Sequence, residues 1–190
     1  MARPDRHRAE LVAESGRLLR RKGYAATSVA EVLTSAGATN GSLYHHFPGG
    51  KEDLARATVK QAGDEILTYL QGLLAAPEGV VAAAQAWIDA TIAAMRTDPR
   101  DGCPIAPTAI EAPGVSDALR TTTATAFATW EQAFADALAQ DRPLALARTQ
   151  ASVLLSAFEG AQLLDRTAQE NHHLLALRDM VPALLSAPRG

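Results

Sequence analysis

An unusual group of polar and aromatic side chains lies between residues 37 and 54, where the sequence runs GATNGSLYHHFPGGKEDL. Tyr44, His45 and His46 are adjacent, and two glycines and a lysine follow within a few residues. A helix that only fills a core does not need these groups, because its buried stripe is apolar. Hydroxyl, amide and imidazole groups can both donate and accept hydrogen bonds, and a lysine ammonium pairs with anions such as phosphate. The segment therefore predicts a binding surface, against the alternative of ordinary surface residues on a helical bundle.

The elements that position this segment are short helices. Ser28 and Glu31 have the spacing of a capping box, and apolar residues follow at helical spacing: Val29, Val32, Leu33 and Ala36. Gly37 ends that second helix, as Gly23 ends the first, and Thr39 can cap a third helix. Two short helices joined by a turn that contains glycine are typical of a helix-turn-helix motif, whose second helix enters the DNA major groove.

The side chains of the third helix divide into a core face and an outer face. Leu43 and Phe47 are expected to point inward, while Gly41 lets two backbones approach closely. The residues expected to face DNA are Thr39, Asn40, Ser42, Tyr44 and His45, with Lys51 reaching a phosphate. Charge agrees: residues 1–60 hold ten Lys and Arg against six Asp and Glu (+4), and residues 61–190 hold eight against fifteen (−7), which together give −3. Further phosphate contacts are expected at Arg3, Arg6 and Arg8.

Helical periodicity continues through the rest of the chain, without a convincing strand. It predicts helices over residues 51–75, 80–95, 104–111, 119–138, 143–167 and 170–186, with a kink at Pro182. The predicted fold class is therefore all-α. The predicted domains are an N-terminal three-helix helix-turn-helix domain at residues 1–50 and a C-terminal helical domain at residues 51–190, connected by helix 51–75.

The stretch TSVAEVLTSAGATNGSLYHHFPGGKEDL resembles the signature of TetR-family transcriptional repressors, and the resemblance is dense over residues 8–60. Carried over by position, it implies DNA contacts at Ser28, Thr39, Asn40, Ser42, Tyr44, His45 and Lys51, and a packing role for His46. One departure is the run Pro-Gly-Gly-Lys-Glu, which is one residue longer than the usual family pattern and places glycine at the helix cap. This run and Gly102-Cys103-Pro104 resemble a TetR subgroup that includes regulators of multidrug and flavonoid response.

The resemblance also implies a repressor that an apolar or aromatic small molecule releases from a palindromic DNA operator. Residues 80–165 place suitable side chains for such a pocket on apolar helix stripes: Trp87, Thr91, Met95, Phe127, Trp130 and Phe158, with Cys103 and Gln162 as sparse polar partners. Aromatic residues at helical spacing are also typical of an ordinary core, and that alternative stays open.

A homodimer is the expected assembly, joined through residues 143–186. The sequence LALARTQASVLLSAFEGAQLL is apolar on nearly all sides, so both sides of its helix must be covered. Small residues at Ala147, Ala151, Ser156 and Gly160 would permit close contact between helices. The alternative is a central core helix in a monomer.

Composition and the remaining motifs exclude several classes. A single cysteine rules out an internal disulfide framework, and no apolar run approaches the roughly 18 residues of a membrane span, so a cytoplasmic protein is expected. No metal site is predicted, because adjacent histidines (45–46 and 172–173) should point about 100° apart on a helix. No catalytic residue or cofactor is predicted, because the sequence has no nucleophile–base pairing and no cofactor loop. Gly49-Gly50-Lys51 also lacks the spacing of a phosphate loop. The competing hypothesis is a helical-bundle enzyme or small-molecule-binding protein acting on an apolar ligand, with Trp87, Cys103, Glu111 and Glu159 around a cleft.

Overall fold

The computed structural model describes the backbone of residues 3–186 and the side chains of residues 6–186. All regular structure in that range is helical, which confirms the predicted fold class. The α-helices are α1 (Arg3–Lys22), α2 (Val29–Ala36), α3 (Asn40–His46), α4 (Lys51–Leu74), α5 (Gly79–Thr97), α6 (Ala106–Glu111), α7 (Asp117–Leu138), α8 (Leu144–Ala168) and α9 (His172–Leu184), and one 3-10 turn (Ala112–Gly114) follows α6. Within residues 3–186 no helix is both long and apolar enough to cross a membrane.

The ends of the first two helices follow the predicted capping chemistry. Gly23, just beyond α1, has a φ of 81°, and Gly37, the C-cap of α2, has a φ of 59°. Both angles lie in the left-handed region that glycine adopts without steric cost. The Ser28 hydroxyl accepts a hydrogen bond from the Glu31 N–H at 3.2 Å. The second half of the predicted capping box is wrong, because the Glu31 carboxylate accepts from Lys22 rather than reaching back to Ser28.

The chain forms two compact units, and the N-terminal unit consists of Met1–Asp64 and Cys103–Ala126. Its core joins α1, α2, α3 and the start of α4 through eight buried side chains: Leu11, Val12, Leu18, Val32, Leu33, Leu43, Phe47 and Leu54. A second cluster links α1 and α4 to the segment after α6 through Leu19, Ala55, Ala112 and Leu119. Helix α6 therefore packs with the helix-turn-helix segment. The functional boundary at residue 50 stays a prediction.

The C-terminal unit consists of Glu65–Gly102 and Phe127–Gly190, and within it α9 contacts α5 and α8. Buried polar groups fix the ends of α9. The Asp165 carboxylate accepts hydrogen bonds from the N–H groups of His173 (3.0 Å) and Leu174 (2.9 Å), which caps the start of the helix. The buried Arg142 donates to the Gln150 side chain and to the Leu185 carbonyl, both at 2.7 Å. Pro182 lies inside α9, which ends two residues later.

Candidate nucleic-acid interface and effector region

The turn between α2 and α3 has a geometry that fixes the direction of α3. The Ala38 N–H donates to the Leu33 carbonyl at 2.9 Å, which closes the end of α2. Thr39 then has extended backbone, and its hydroxyl accepts from the Ser42 N–H at 3.2 Å. This is the predicted N-cap of α3, and it leaves the first residues of the helix pointing away from the core.

The predicted DNA-facing side chains all lie at the surface of the N-terminal unit. Leu43 and Phe47 are buried in its core, as predicted. The predicted contacts at the start of α2 and on α3 are exposed at Ser28, Thr39, Asn40, Gly41, Tyr44 and His45, while Ser42 is half-buried. Helix α3 therefore presents a continuous face of small polar and aromatic groups, such as can contact base edges and phosphate oxygens.

Tyr44 is exposed at one edge, where its ring lies against the backbone of Gly50. A Cβ atom at residue 50 would come within 3.3 Å of the Tyr44 Cε1 atom, and the φ of Gly50 is 66°. The backbone conformation therefore favours glycine at this position, and a side chain there would also press on the Tyr44 ring. Asp53 closes the same turn, because its carboxylate accepts from the Gly49 N–H at 2.6 Å. Tyr44 therefore lies directly beside the Gly-Gly turn that leads into α4.

Lys51 is less free than the sequence implied. Its ammonium lies 4.2 Å from the centre of the Tyr24 ring and 3.5 Å from the Ala25 carbonyl oxygen. Burial lowers the pKa of Lys51 below its ordinary value, and the nearby Glu111 carboxylate opposes that shift. Burial also raises the pKa of the Tyr24 hydroxyl, with a further contribution from Glu52. A phosphate contact at Lys51 stays a prediction, and it would share the cation with this cluster.

The arginines of α1 differ in how they are held. Arg6 is exposed and pairs with Glu10 at 2.8 Å, an arrangement worth little in water. The Arg8 guanidinium lies 5.5 Å from the centre of the Phe47 ring, close to α3. The side chain of Arg3 lies outside the described residues. Arg8 therefore lies beside the end of the third helix, where it is placed to contribute a phosphate contact.

The predicted effector residues of the C-terminal unit mostly pack on one another. The Trp87 ring centre lies 3.8 Å from that of Phe158, 5.6 Å from Phe134 and 6.3 Å from Trp130. Phe127 is half-buried and meets Trp130 edge to face at 5.4 Å. Thr91 is half-buried and donates to the Trp87 carbonyl, and both Met95 and Gln162 are buried. An effector that uses these rings must therefore part them, and their role in binding stays a prediction.

Cys103 belongs by its contacts to the N-terminal unit, where it is a buried free thiol. The sequence placed it beside the aromatic residues of the effector region, which belong to the C-terminal unit. The preceding residue, Gly102, lies in the C-terminal unit. A Cβ atom added to Gly102 would lie 4.0 Å from the Gln162 side-chain oxygen. A part in effector binding stays a prediction for Cys103.

The second histidine pair does not diverge as expected. The rings of His172 and His173 lie with centres 3.7 Å apart, and with Asp165 they bring three ligand-type atoms within 4.8 Å of one another. The expectation that neighbouring histidines point well apart is therefore wrong for this pair, because the two rings lie against each other. The Asp165 carboxylate already accepts from the backbone of α9 and lies 2.8 Å from His173 Nδ1, so capping accounts for the cluster.

Comparison with known proteins decides the family. Residues 11–58 match the model of the bacterial regulatory proteins of the tetR family, and residues 80–180 match the LmrA/YxaF-like C-terminal domain of transcriptional regulators. The HTH-type transcriptional regulator YxaF of Bacillus subtilis is 31% identical over 180 residues, which cover 94% of either chain. This chain belongs to the TetR family. The Bacillus subtilis regulator LmrA is 29% identical over 180 residues, or 94% of this chain and 96% of LmrA.

Solved structures agree on the TetR fold. A TetR transcriptional regulator from Legionella pneumophila superposes with a TM-score of 0.85 at 20% identity, over 93% of this chain and 96% of that one. The chain is therefore a TetR-family transcriptional regulator with a helix-turn-helix DNA-binding domain, as its sequence predicted. Family membership favours a regulator over the helical-bundle enzyme.

Proposed function

We propose that this TetR-family protein is a homodimeric, cytoplasmic repressor that an apolar or aromatic small molecule releases from a palindromic operator. One observation carries the DNA-binding part: the capped helix α3 buries Leu43 and presents Asn40, Tyr44 and His45 to solvent. These side chains offer donors, acceptors and a ring, which is the chemistry that distinguishes base pairs in the major groove. The proposed contacts are Ser28, Thr39, Asn40, Gly41, Ser42, Tyr44, His45 and Lys51.

Selection of bound sequences from random duplex DNA tests the proposal directly. The full chain should enrich one sequence with two inverted half-sites, because a two-fold dimer presents two copies of α3. Enrichment of a single half-site would contradict the palindromic operator. The absence of any enrichment at low salt would contradict sequence-specific DNA binding altogether.

Base contacts and phosphate contacts should respond differently to mutation. Asn40→Ala should change preference at particular base pairs by roughly 1–3 kcal/mol, because a side-chain amide can make a bidentate contact with a base. Lys51→Ala should instead weaken binding to all duplexes alike and make the slope of log affinity against log salt shallower by about 0.9. Both effects can be measured by titrating selected and scrambled duplexes at several salt concentrations.

Lys60→Ala is the matched control for the lysine, since Lys60 is exposed on α4 and pairs with Asp64. It should leave both the affinity and the salt slope close to those of the unmodified chain. An equal loss on selected and scrambled duplexes for both Asn40→Ala and Lys51→Ala would contradict the division between base and phosphate contacts.

The effector part of the proposal is supported by the aromatic content of the C-terminal unit. Trp87, Trp130, Phe134 and Phe158 form a connected group of rings, which would line a site for a drug-sized aromatic ligand once the ligand parts them. The subgroup resemblance extends this to a flavonoid or a similar polycyclic aromatic. Such a ligand must prefer the arrangement of the dimer that does not bind DNA, since only differential affinity shifts an equilibrium.

Reciprocity gives a test of the effector. A coupling of about 1–3 kcal/mol would weaken operator binding roughly 5- to 150-fold, and operator DNA must weaken effector binding by the same factor. Tryptophan fluorescence can follow titrations of candidate flavonoids with and without the selected duplex, because Trp87 and Trp130 both lie in the ring cluster. A compound with equal affinity in both titrations is not the effector. If a broad aromatic panel fails to bind, the ligand-responsive part of the proposal is wrong.

A further inference from the structure

A carboxylate from α6 is bound by the turn that precedes the helix-turn-helix motif. Glu111 Oε1 accepts a hydrogen bond from the Tyr24 N–H at 3.1 Å, and Oε2 accepts from the Ala25 N–H at 2.6 Å. These residues are 86 and 87 positions apart in the sequence. Two consecutive N–H groups that point at one anion form a backbone nest, and hydrogen bonds to a charged acceptor are the stronger kind. The contact therefore joins α6 to the segment between α1 and α2.

Glycine at position 23 makes room for this carboxylate. A Cβ atom on Gly23 would lie 2.0 Å from Glu111 Oε1, which is far inside van der Waals contact. The φ of 81° also lies in the region that favours glycine. The turn is internally braced, since the Thr27 hydroxyl donates to the Gly23 carbonyl at 2.8 Å. A side chain on residue 23 would thus expel the carboxylate rather than adjust the turn.

The same turn also receives Lys51 from the start of α4. The ammonium lies over the Tyr24 ring and near the Ala25 carbonyl, and the Glu111 carboxylate raises the pKa of Lys51 against the lowering by burial. A second polar contact lies close by in the sequence, where the Ser116 hydroxyl donates to Glu52 Oε1 at 2.7 Å. Tyr24 and Ala25 therefore bind α6 through their N–H groups, and α4 through a ring and a carbonyl.

We propose that Glu111 is a positioning residue for DNA binding, which docks α6 on the α1–α2 turn and so sets the placement of α2, α3 and Lys51. The inference rests on the proposed DNA-binding function. The turn leads directly into Ser28, the N-cap of α2, so the carboxylate orders the backbone that enters the motif. Undocking α6 leaves two turn N–H groups without their acceptor and removes the anion that faces Lys51. The docked form is the one that binds the operator.

Two variants of the full chain break the contact by independent means. Glu111→Gln removes the charge and one of the two acceptor oxygens, whereas Gly23→Ala keeps the carboxylate but fills its space. Both should raise hydrogen exchange of the Tyr24 and Ala25 amides about tenfold and weaken binding to the selected duplex about tenfold. The slope of log affinity against log salt should become shallower by up to about 0.9 for both, because Lys51 loses the placement that lets it contact a phosphate.

Matched controls separate docking from charge and backbone strain. Glu78→Gln removes an exposed carboxylate that caps nothing at the start of α5. Gly79→Ala imposes the same backbone strain, with a φ of 84° and nothing within 4 Å of the new Cβ atom. Both controls should keep operator affinity within about twofold, with the folded fraction of every variant checked by circular dichroism.

The outcomes distinguish the positioning role from the DNA-binding function. If the unmodified chain binds the selected duplex and Glu111→Gln and Gly23→Ala bind as tightly as their controls, Glu111 does not position the motif. If the unmodified chain binds no duplex, the proposed function fails, and amide exchange then decides the docking contact. Unchanged exchange of Tyr24 and Ala25 in Glu111→Gln would overturn the docking itself.

Discussion

Replacing Trp87 by alanine is expected to lower the free energy of unfolding by about 3–5 kcal/mol. Only 3% of Trp87 is exposed, and its ring lies against Phe158 with 3.8 Å between centres. Removing the Trp87 ring takes the central member from a group of packed aromatic rings. It leaves a cavity that the surrounding residues can fill only in part. Chemical denaturation followed by circular dichroism, at one fixed protein concentration, measures the loss.

Tyr69→Ala is the matched control, since Tyr69 belongs to the same compact unit and is 43% exposed. It should cost well under the loss seen at Trp87, as surface substitutions usually fall within about 0.5 kcal/mol. A loss below about 1 kcal/mol for Trp87→Ala would mean that the ring already lines open space. In that case the rings do not form the packed core that an effector must part, and a preformed pocket beside them becomes the alternative to test.

A glutamate at Val153 is expected to separate the proposed dimer into monomers. Val153 is 46% exposed and Leu163 is 56% exposed on the same outer face of α8, so this face leaves two large apolar side chains for a partner subunit to cover. The small residues Ser156 and Gly160 lie between them, and a Cβ atom on Gly160 would meet nothing within 4 Å. Of the small residues expected at the interface, Ala147 and Ala151 are instead fully buried inside the subunit.

The expected loss of dimer affinity is large, because a two-fold interface contains the substituted residue of both subunits and therefore two added charges. Burying unpaired carboxylates should cost roughly 3 kcal/mol or more, which raises the dimer dissociation constant by more than about a hundredfold. Sedimentation of the full chain at micromolar concentration measures the mass, and affinity for the two half-site duplex should fall in parallel. Ala93→Glu, on the exposed side of α5, adds the same charge elsewhere and should leave the mass unchanged. A dimeric mass for Val153→Glu would place the subunit interface on another surface.

Local sequence signals were sufficient for the helix-turn-helix motif. Thr39 and Gly37 act within a few residues of themselves, through a cap and a left-handed turn, so their chemistry can be read without a partner. The spacing of four residues between Leu43 and Phe47, with polar residues between them, likewise predicts which face of α3 is buried. The capping box at Ser28 was only half correct, because Lys22, at the end of α1, competes for the Glu31 carboxylate.

Contacts between distant parts of the chain were beyond such signals. The sequence suggests Glu111 only as a candidate group for an enzyme cleft, whereas in the structure it binds the backbone of Tyr24 and Ala25. Lys51 was expected to face phosphate alone, yet its ammonium lies over an aromatic ring from a preceding turn. Periodicity likewise places Trp87, Trp130 and Phe158 on apolar stripes. It does not predict that the Trp87 ring centre lies 3.8 Å from that of Phe158 and 6.3 Å from that of Trp130.

The sequence by itself determined the all-α class, the helix boundaries to within a few residues and the polar face of α3, since caps, turns and hydrophobic periodicity act over fewer than about ten residues. Tertiary structure alone decided that α6 packs with the N-terminal unit and that Glu111 occupies the space left by Gly23. The physical reason is that a backbone N–H donates to any suitably placed carboxylate, so no local pattern marks its partner. The packing of Leu19, Ala55, Ala112 and Leu119, next to Glu111 in the fold, helps to bring that carboxylate within reach.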